Sequence, residues 1–195
     1  VENANKVEAQ RLLAIAKNRG LSYQEKIMLN AYLTKARMAA NDIRLLDNNS
    51  KEQSGKLKKL EILLDKYILQ NKEKIVIFSE WLEMLKLIEK DILLKNKEYK
   101  YVLFHGGIPA KKRSSFIDTF VNDPETKLFL STDAGGVGVD GLQLVSKRII
   151  HTEPPWNPAR IDQRNGRLNR MLQKNIVNVD YLYSKDSIED MVLFA

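Results

Sequence analysis

Residues 74–79 read Lys-Ile-Val-Ile-Phe-Ser, four consecutive apolar side chains between a charge and a small hydroxyl. A run this short, apolar without alternation, is the pattern of a strand buried on both faces. Working outward, the pattern recurs at Tyr99 to Phe104, Lys127 to Ser131, Arg148 to Thr152 and Ile176 to Tyr183. Between these runs lie amphipathic stretches. One helix is predicted from Trp81 to Leu94, another is opened by Pro109, a residue suited to a first helical turn, and Ser187-x-x-Asp190 caps a last one. Apolar strands alternating with helices predict an α/β fold, a parallel sheet sandwiched by helices.

Upstream the periodicity is helical throughout. Val7, Leu12, Leu13, Ile15 and Ala16 form a stripe, and Ser22-x-x-Glu25 is a capping box opening a second helix through Leu46. Asp47-Asn48-Asn49-Ser50 breaks the pattern. A third helix follows from Lys56 to Gln70, with Leu57, Leu60, Leu63, Leu64 and Tyr67 on one side. The organisation expected is a helical extension over 1–50 and an α/β lobe over 51–195.

The 195 residues suffice for one full core, and 44% hydrophobic with 29% charged residues describes a globular chain. No apolar run approaches a membrane span and the first residues do not resemble a signal peptide, so no membrane partner is expected. The absence of an initiator Met and the stop at Leu193-Phe194-Ala195 suggest a piece of something longer. Thirty-two basic against 25 acidic residues give a net charge of +7, which favours a polyanionic partner. With no Cys and two His, His105 and His151, no metal site is expected.

Ligands of parallel sheets bind beyond the carboxyl ends of the strands. There the sequence places Ser79-Glu80-Trp81, His105-Gly106-Gly107, Ser131 to Gly138 and Thr152-Glu153. Residues 153–170, E-P-P-W-N-P-A-R-I-D-Q-R-N-G-R-L-N-R, follow. Arg167 and Arg170 are three apart and share a face if helical. Two guanidiniums aimed together, with Gly166 permitting close approach, suit the charge developing on a transferring phosphoryl group. They read as arginine fingers. The opposing reading, a solvated basic face of Arg160, Arg164, Arg167 and Arg170, leaves the glycine and the W-N-P turn unexplained.

Gly135, Gly136 and Gly138, followed by Asp140, can expose backbone amides to phosphate, although a tight structural turn uses the same glycines. A Walker A cradle is absent: Gly55-Lys56 is followed by Leu57, with Ser50 where the first glycine would stand. No Asp-Glu pair follows any strand. Transition-state arginines without a cradle make half a site. His105 has no carboxylate or nucleophile at recognisable spacing, which suits shaping a turn or touching a phosphate. Lys111, Lys112 and Arg113 open a helix at its unfavourable end for cations, either to meet a nucleic-acid backbone or as an exposed charged turn. Trp156 reads as a core plug or as an exposed aromatic wedge.

Taken together these segments resemble the second RecA-like lobe of superfamily 2 helicases, and within them the Snf2 (SWI2/SNF2) family. Lys74 to Trp81 resembles motif IV, Ser131 to Leu142 motif V and Gln163 to Arg170 motif VI. Pro155 to Arg160 resembles the W-N-P segment of Snf2 proteins, particularly bacterial RapA-like ones. Ser54-Gly55-Lys56-Leu57 resembles the entry to the lobe, and Lys35-Ala36-Arg37 the helical segment before it. The resemblance implies ATP-driven translocation on double-stranded DNA, with ATP and Mg²⁺ held mainly by an N-terminal RecA-like lobe of the same polypeptide and this lobe inactive alone.

By position, Arg167 and Arg170 would reach the γ-phosphate, with Gln163, Gly138, Asp140 and Gly166 about the nucleotide. Ser79, His105, Gly106, Ser131 and Thr132 would hold the DNA backbone, and Trp156 would approach the minor groove. The implied location is cytoplasmic and nucleoid-associated in a bacterium, or nuclear in a eukaryote. Two departures stand out: Asn169 with Met171-Leu172-Gln173 where His or Asp and Ile-Gly-Gln are usual, and Asp140-Gly141-Leu142 where Asn-Leu is common. The alternatives are an RNA helicase lobe and a nucleic-acid-binding or scaffold module without catalysis.

Overall fold

The computed structural model describes residues 2–133 and 140–190. The chain forms two compact units, one of residues 57–182 and one of residues 1–56 with 183–195.

In the smaller unit, α1 (Glu2–Arg19) is followed by α2 (Tyr23–Asn41). The capping box forms as its sequence requires: Ser22 Oγ accepts from Glu25 N at 3.3 Å and Glu25 accepts from Ser22 N at 2.9 Å. Two expectations need correcting. Val7 is exposed, while Ala9 and Leu12 are the buried side chains of α1. And α2 ends at Asn41, because Asp42 turns extended and its carboxylate caps the 3₁₀ turn Ile43–Leu45, accepting from Arg44 N at 3.0 Å. Ala36 and Ala40 pack with Ile188, and Lys56 pairs with Glu189 at 2.6 Å, both side chains buried. The last helix expected after Ser187 falls on residues that lie mostly outside the described ones; Ser187 Oγ accepts from Glu189 N at 3.0 Å.

The larger unit is built on five parallel strands in the order β2-β3-β1-β4-β5. They are β1 (Ile75–Ser79), β2 (Lys100–Phe104), β3 (Thr126–Thr132), β4 (Arg148–His151) and β5 (Asn178–Tyr181). The expected α/β sheet is present, with strand ends shifted by a residue or so and most in β5, which runs Asn178–Tyr181 against the expected Ile176 to Tyr183, Ile176 being exposed before it. Helix α3 (Gly55–Leu64) runs into a wider π turn, Asp65–Gln70, in which the adjacent Tyr67 and Ile68 are both buried. Helices α4 (Leu82–Asp91) and α5 (Ala110–Asn122) follow β1 and β2.

Strand side chains alternate between faces. Val76, Phe78, Val102, Phe104, Phe129 and Ile149 form one core with Phe120 of α5, while Ile75, Ile77, Leu128, Leu130 and Ile150, at the alternate positions, are equally buried. Burial on both faces is why these strands read as unbroken apolar runs. The parallel sheet puts all carboxyl ends on one edge and all amino ends on the other. Among the described residues no helix is long and apolar enough to cross a membrane.

Candidate functional site

The carboxyl edge is organised by a carboxylate just beyond β4. Glu153 is 1% exposed; it accepts from Ser79 Oγ at 3.0 Å, from Glu80 N at 2.6 Å and from Thr152 Oγ1, so one side chain joins the ends of β1 and β4. Arg164, its side chain 2% exposed, lies 3.6 Å from Glu153 and forks onto Asp133 beyond β3, with Nε to Oδ1 at 2.5 Å and Nη2 to Oδ2 at 2.9 Å. Burial works against its charge, but the hydrogen bonds to Asp133 and the field of Glu153 outweigh it and hold its pKa above the ordinary value. Arg160 adds ion pairs to Glu80 at 3.3 Å and Asp133 at 3.4 Å. Three strand ends are thus fastened through one guanidinium.

His151, the last residue of β4, stacks on Tyr181 with centroids 4.7 Å apart and lies 6.1 Å from Phe78. Burial pushes its pKa down to about 4, with the Arg164 charge acting in the same direction against a hydrogen bond that the ring donates to Asn165. The ring is therefore neutral near pH 7. Arg164 Nη1 stands 3.3 Å from Nδ1 and can only donate, which assigns the proton to Nε2, donating to Asn165 Oδ1 at 3.0 Å.

A pH dependence follows. With a native pKa of about 4 against 6.5 unfolded, the unfolded chain takes up a proton that the native state refuses. Stability is complete above pH 6.5 and is lost as pH falls towards 4, by up to ~3 kcal/mol. Urea denaturation across that interval should show this slope, and His151→Gln should flatten it.

Helix α6 (Pro158–Asn165) starts where the W-N-P turn places it: Pro158 occupies the first turn and the Asn157 side chain accepts from Ala159 N at 3.0 Å. It ends sooner than the arginine spacing suggested. Gly166 N donates to Asp162 O at 2.7 Å, and a Cβ on Gly166 would stand 2.9 Å from that oxygen, so the closure needs a glycine. Arg167 and Arg170 consequently lie in the turns after the helix and do not share a helical face. Arg170 donates to Gly166 O at 2.8 Å and pairs with the exposed Asp140.

Arg167 is 7% exposed, and its side chain makes no hydrogen bond or ion pair with any described residue. Burial lowers its pKa, and Asp133 offsets this in part. Gln163 is exposed on α6. Gly138, with Gly135 and Gly136, lies outside the described residues.

Of the residues read as nucleic-acid contacts, Ser79 and Ser131 are buried hydroxyls: Ser79 serves Glu153, and Ser131 donates to Thr132 O at 3.0 Å. Ser79 thus joins the ends of two strands, and Ser131 bonds within β3, where surface donors were expected. Thr132 is also buried, whereas Gly106 is exposed and His105 half-buried, its Nδ1 accepting from Gly107 N at 3.1 Å. Arg113 is accounted for by that turn, donating to Ile108 O at 3.1 Å and Gly106 O at 3.3 Å, while Lys111 and Lys112 are exposed. Trp156 is 38% exposed, which removes the core-plug reading.

Leu172 has φ +77° and is 69% exposed. The left-handed region disfavours any side chain with a Cβ, and burial here returns little. The glycine usual at this place in the resembling motif is explained by that backbone. Leu172→Gly should raise stability by about 0.5–1 kcal/mol, read from the denaturation midpoint.

With this geometry in hand, the relatives are informative. The model of the helicase conserved C-terminal domain matches residues 55–172, and the chain belongs to that family. Its relatives there are Snf2-type ATPases. The DNA repair and recombination protein RAD54-like of Drosophila persimilis is 34% identical over 143 residues, 73% of this chain and 18% of that protein. The ATP-dependent helicase FUN30 of Saccharomyces cerevisiae is 33% identical over 148 residues, 75% of this chain and 13% of that protein. The chain thus spans less than a fifth of either. The Sulfolobus solfataricus SWI2/SNF2 ATPase core, solved in complex with dsDNA, superposes with a TM-score of 0.74 at 28% identity, covering 97% of this chain and 39% of that one. The sheet is RecA-like.

Proposed function

We propose that this chain is the second motor lobe of a Snf2-type DNA translocase, supplying Arg167 and Arg170 to ATP held by an N-terminal lobe of the same polypeptide and gripping duplex DNA. The observation that carries the reading is Arg167, a residue 7% exposed whose guanidinium finds no hydrogen-bond acceptor and no ion-pair partner among the described residues. A buried charge is costly unless paired, so such a cation fits an anion that arrives with substrate. A mere binding module has no use for that cost. In ATP hydrolysis the developing charge lies on the γ-phosphoryl oxygens, the place for a planar donor fork.

The rest of the edge supports positioning. Gly166 fixes the turn carrying Arg167, and the fork of Arg164 onto Asp133 fixes the helix before it. Asp140 holds Arg170 and is placed to release it to a phosphate. Mg²⁺ would arrive with ATP, both held mainly by the other lobe. Duplex DNA would meet the exposed edge at Gly106, Lys111, Lys112 and Trp156. Kinship with bacterial RapA-like proteins belongs to the same proposal and rests on Pro155 to Arg160.

The test is ATP hydrolysis by the parent protein with duplex DNA, with single-stranded RNA and without nucleic acid. Stimulation by duplex DNA is expected; stimulation by RNA alone would move the chain to an RNA helicase, and no hydrolysis under any condition would leave a binding module.

A further inference from the structure

At the amino ends of the strands, the edge opposite to the site above, residues just before β1, β3, β4 and β5 enclose an open cavity of about 500 Å³. Four lysines line it: Lys72, Lys74, Lys127 and Lys147. One has a structural purpose. Lys74 Nζ donates to the carbonyls of Phe120 and Asp123 at the end of α5, satisfying oxygens that a helix terminus leaves free. Lys72, Lys127 and Lys147 have no hydrogen bond or ion pair from their side chains among the described residues.

The single carboxylate among the lining residues, Glu73, is already held by Arg148 at 2.8 Å. Three ammonium groups without partners of their own therefore share one concavity whose single carboxylate is already ion-paired. The lining adds side-chain amides, including the exposed Asn175, and no aromatic ring that would anchor a peptide. The size is that of a small-molecule site, and lysine binds phosphate as a point charge.

We infer that this cavity binds a ligand carrying two or more phosphate groups, whose oxygens are taken by Lys72, Lys127 and Lys147. Such oxygens come either from a soluble polyphosphate or from a nucleic-acid backbone. The site is separate from Arg167, so its failure leaves the motor reading untouched.

The experiment is calorimetric titration of the 195-residue chain with inorganic tripolyphosphate, repeated with a short DNA duplex as competitor. The expected result is saturable binding tighter than about 1 mM, weakened at least about tenfold by the combined Lys72→Gln, Lys127→Gln and Lys147→Gln variant. The charge-matched control, Lys90→Gln with Lys95→Gln and Lys97→Gln, should bind as the parent does. Competition by duplex assigns the phosphates to a nucleic-acid backbone, and its absence to a soluble polyphosphate. Failure to saturate, or equal loss in the test and control variants, overturns the site.

Discussion

Arg167→Met in the parent protein should lower duplex-stimulated ATP hydrolysis about 10³-fold, close to 4 kcal/mol of transition-state stabilisation, and leave the protein at least as stable as before. The two halves of this result belong together. Arg167 is 7% exposed without an ion pair among the described residues, so the folded chain bears a desolvation that Asp133 offsets only in part. Methionine keeps the apolar stem packed and discards the charge. A structural arginine would behave in the opposite way, with stability falling and activity following it. Arg167→Lys should also be strongly impaired, because an ammonium cannot reproduce a planar fork. The readouts are kcat at saturating ATP and the thermal midpoint. A variant that hydrolyses ATP like the parent would make Arg167 a buried accident and end the motor proposal.

The strands were legible because burial on both faces leaves an unambiguous mark: Ile75 to Phe78 and Leu128 to Leu130 are apolar without interruption and are fully buried or nearly so. The weaker edge strand β5 blurred into Ile176 for the converse reason, being only half-covered. Helix ends were harder. Asp42 stops α2 through one side-chain oxygen, and α6 closes at Gly166 beside one close carbonyl, local contacts with no periodicity to betray them.

The site divided along the same line. Arg167, Arg170, Gly166 and Asp140 stood out by spacing or composition, and Asp140 and Arg170 do meet. The fork from Arg164 to Asp133 and the cap of Glu153 on Ser79 and Glu80 did not, because these partners lie 31, 74 and 73 positions apart. One signal was available: a carboxylate directly after an apolar strand, at Thr152-Glu153, must find buried donors.

That network carries the second large effect. Arg164→Ala should destabilise the protein by about 3–5 kcal/mol, the cost of stranding buried carboxylates once their cation is removed. Glu153, 1% exposed, keeps its hydroxyl and amide donors, whereas Asp133 loses both donors of the fork and keeps only Arg160 at 3.4 Å. Asp133→Asn on the Arg164→Ala background should therefore recover part of the loss. A double-mutant cycle should return a coupling of roughly 0.5–3 kcal/mol, and a coupling of zero would show that the fork holds nothing together. Arg164→Lys should fall between, restoring a charge without bidentate geometry.

Activity ought to follow by a separate route. Arg167 N donates to Arg164 O at 3.1 Å, so loosening the end of α6 moves the backbone that presents Arg167. A misplacement near 1 Å costs about 10²-fold in rate. Arg164→Lys, still folded at assay temperature, should thus hydrolyse ATP more slowly while binding duplex DNA as the parent does. Equal losses in binding and hydrolysis would mean that Arg164 shapes the whole edge, with no separate part in positioning Arg167.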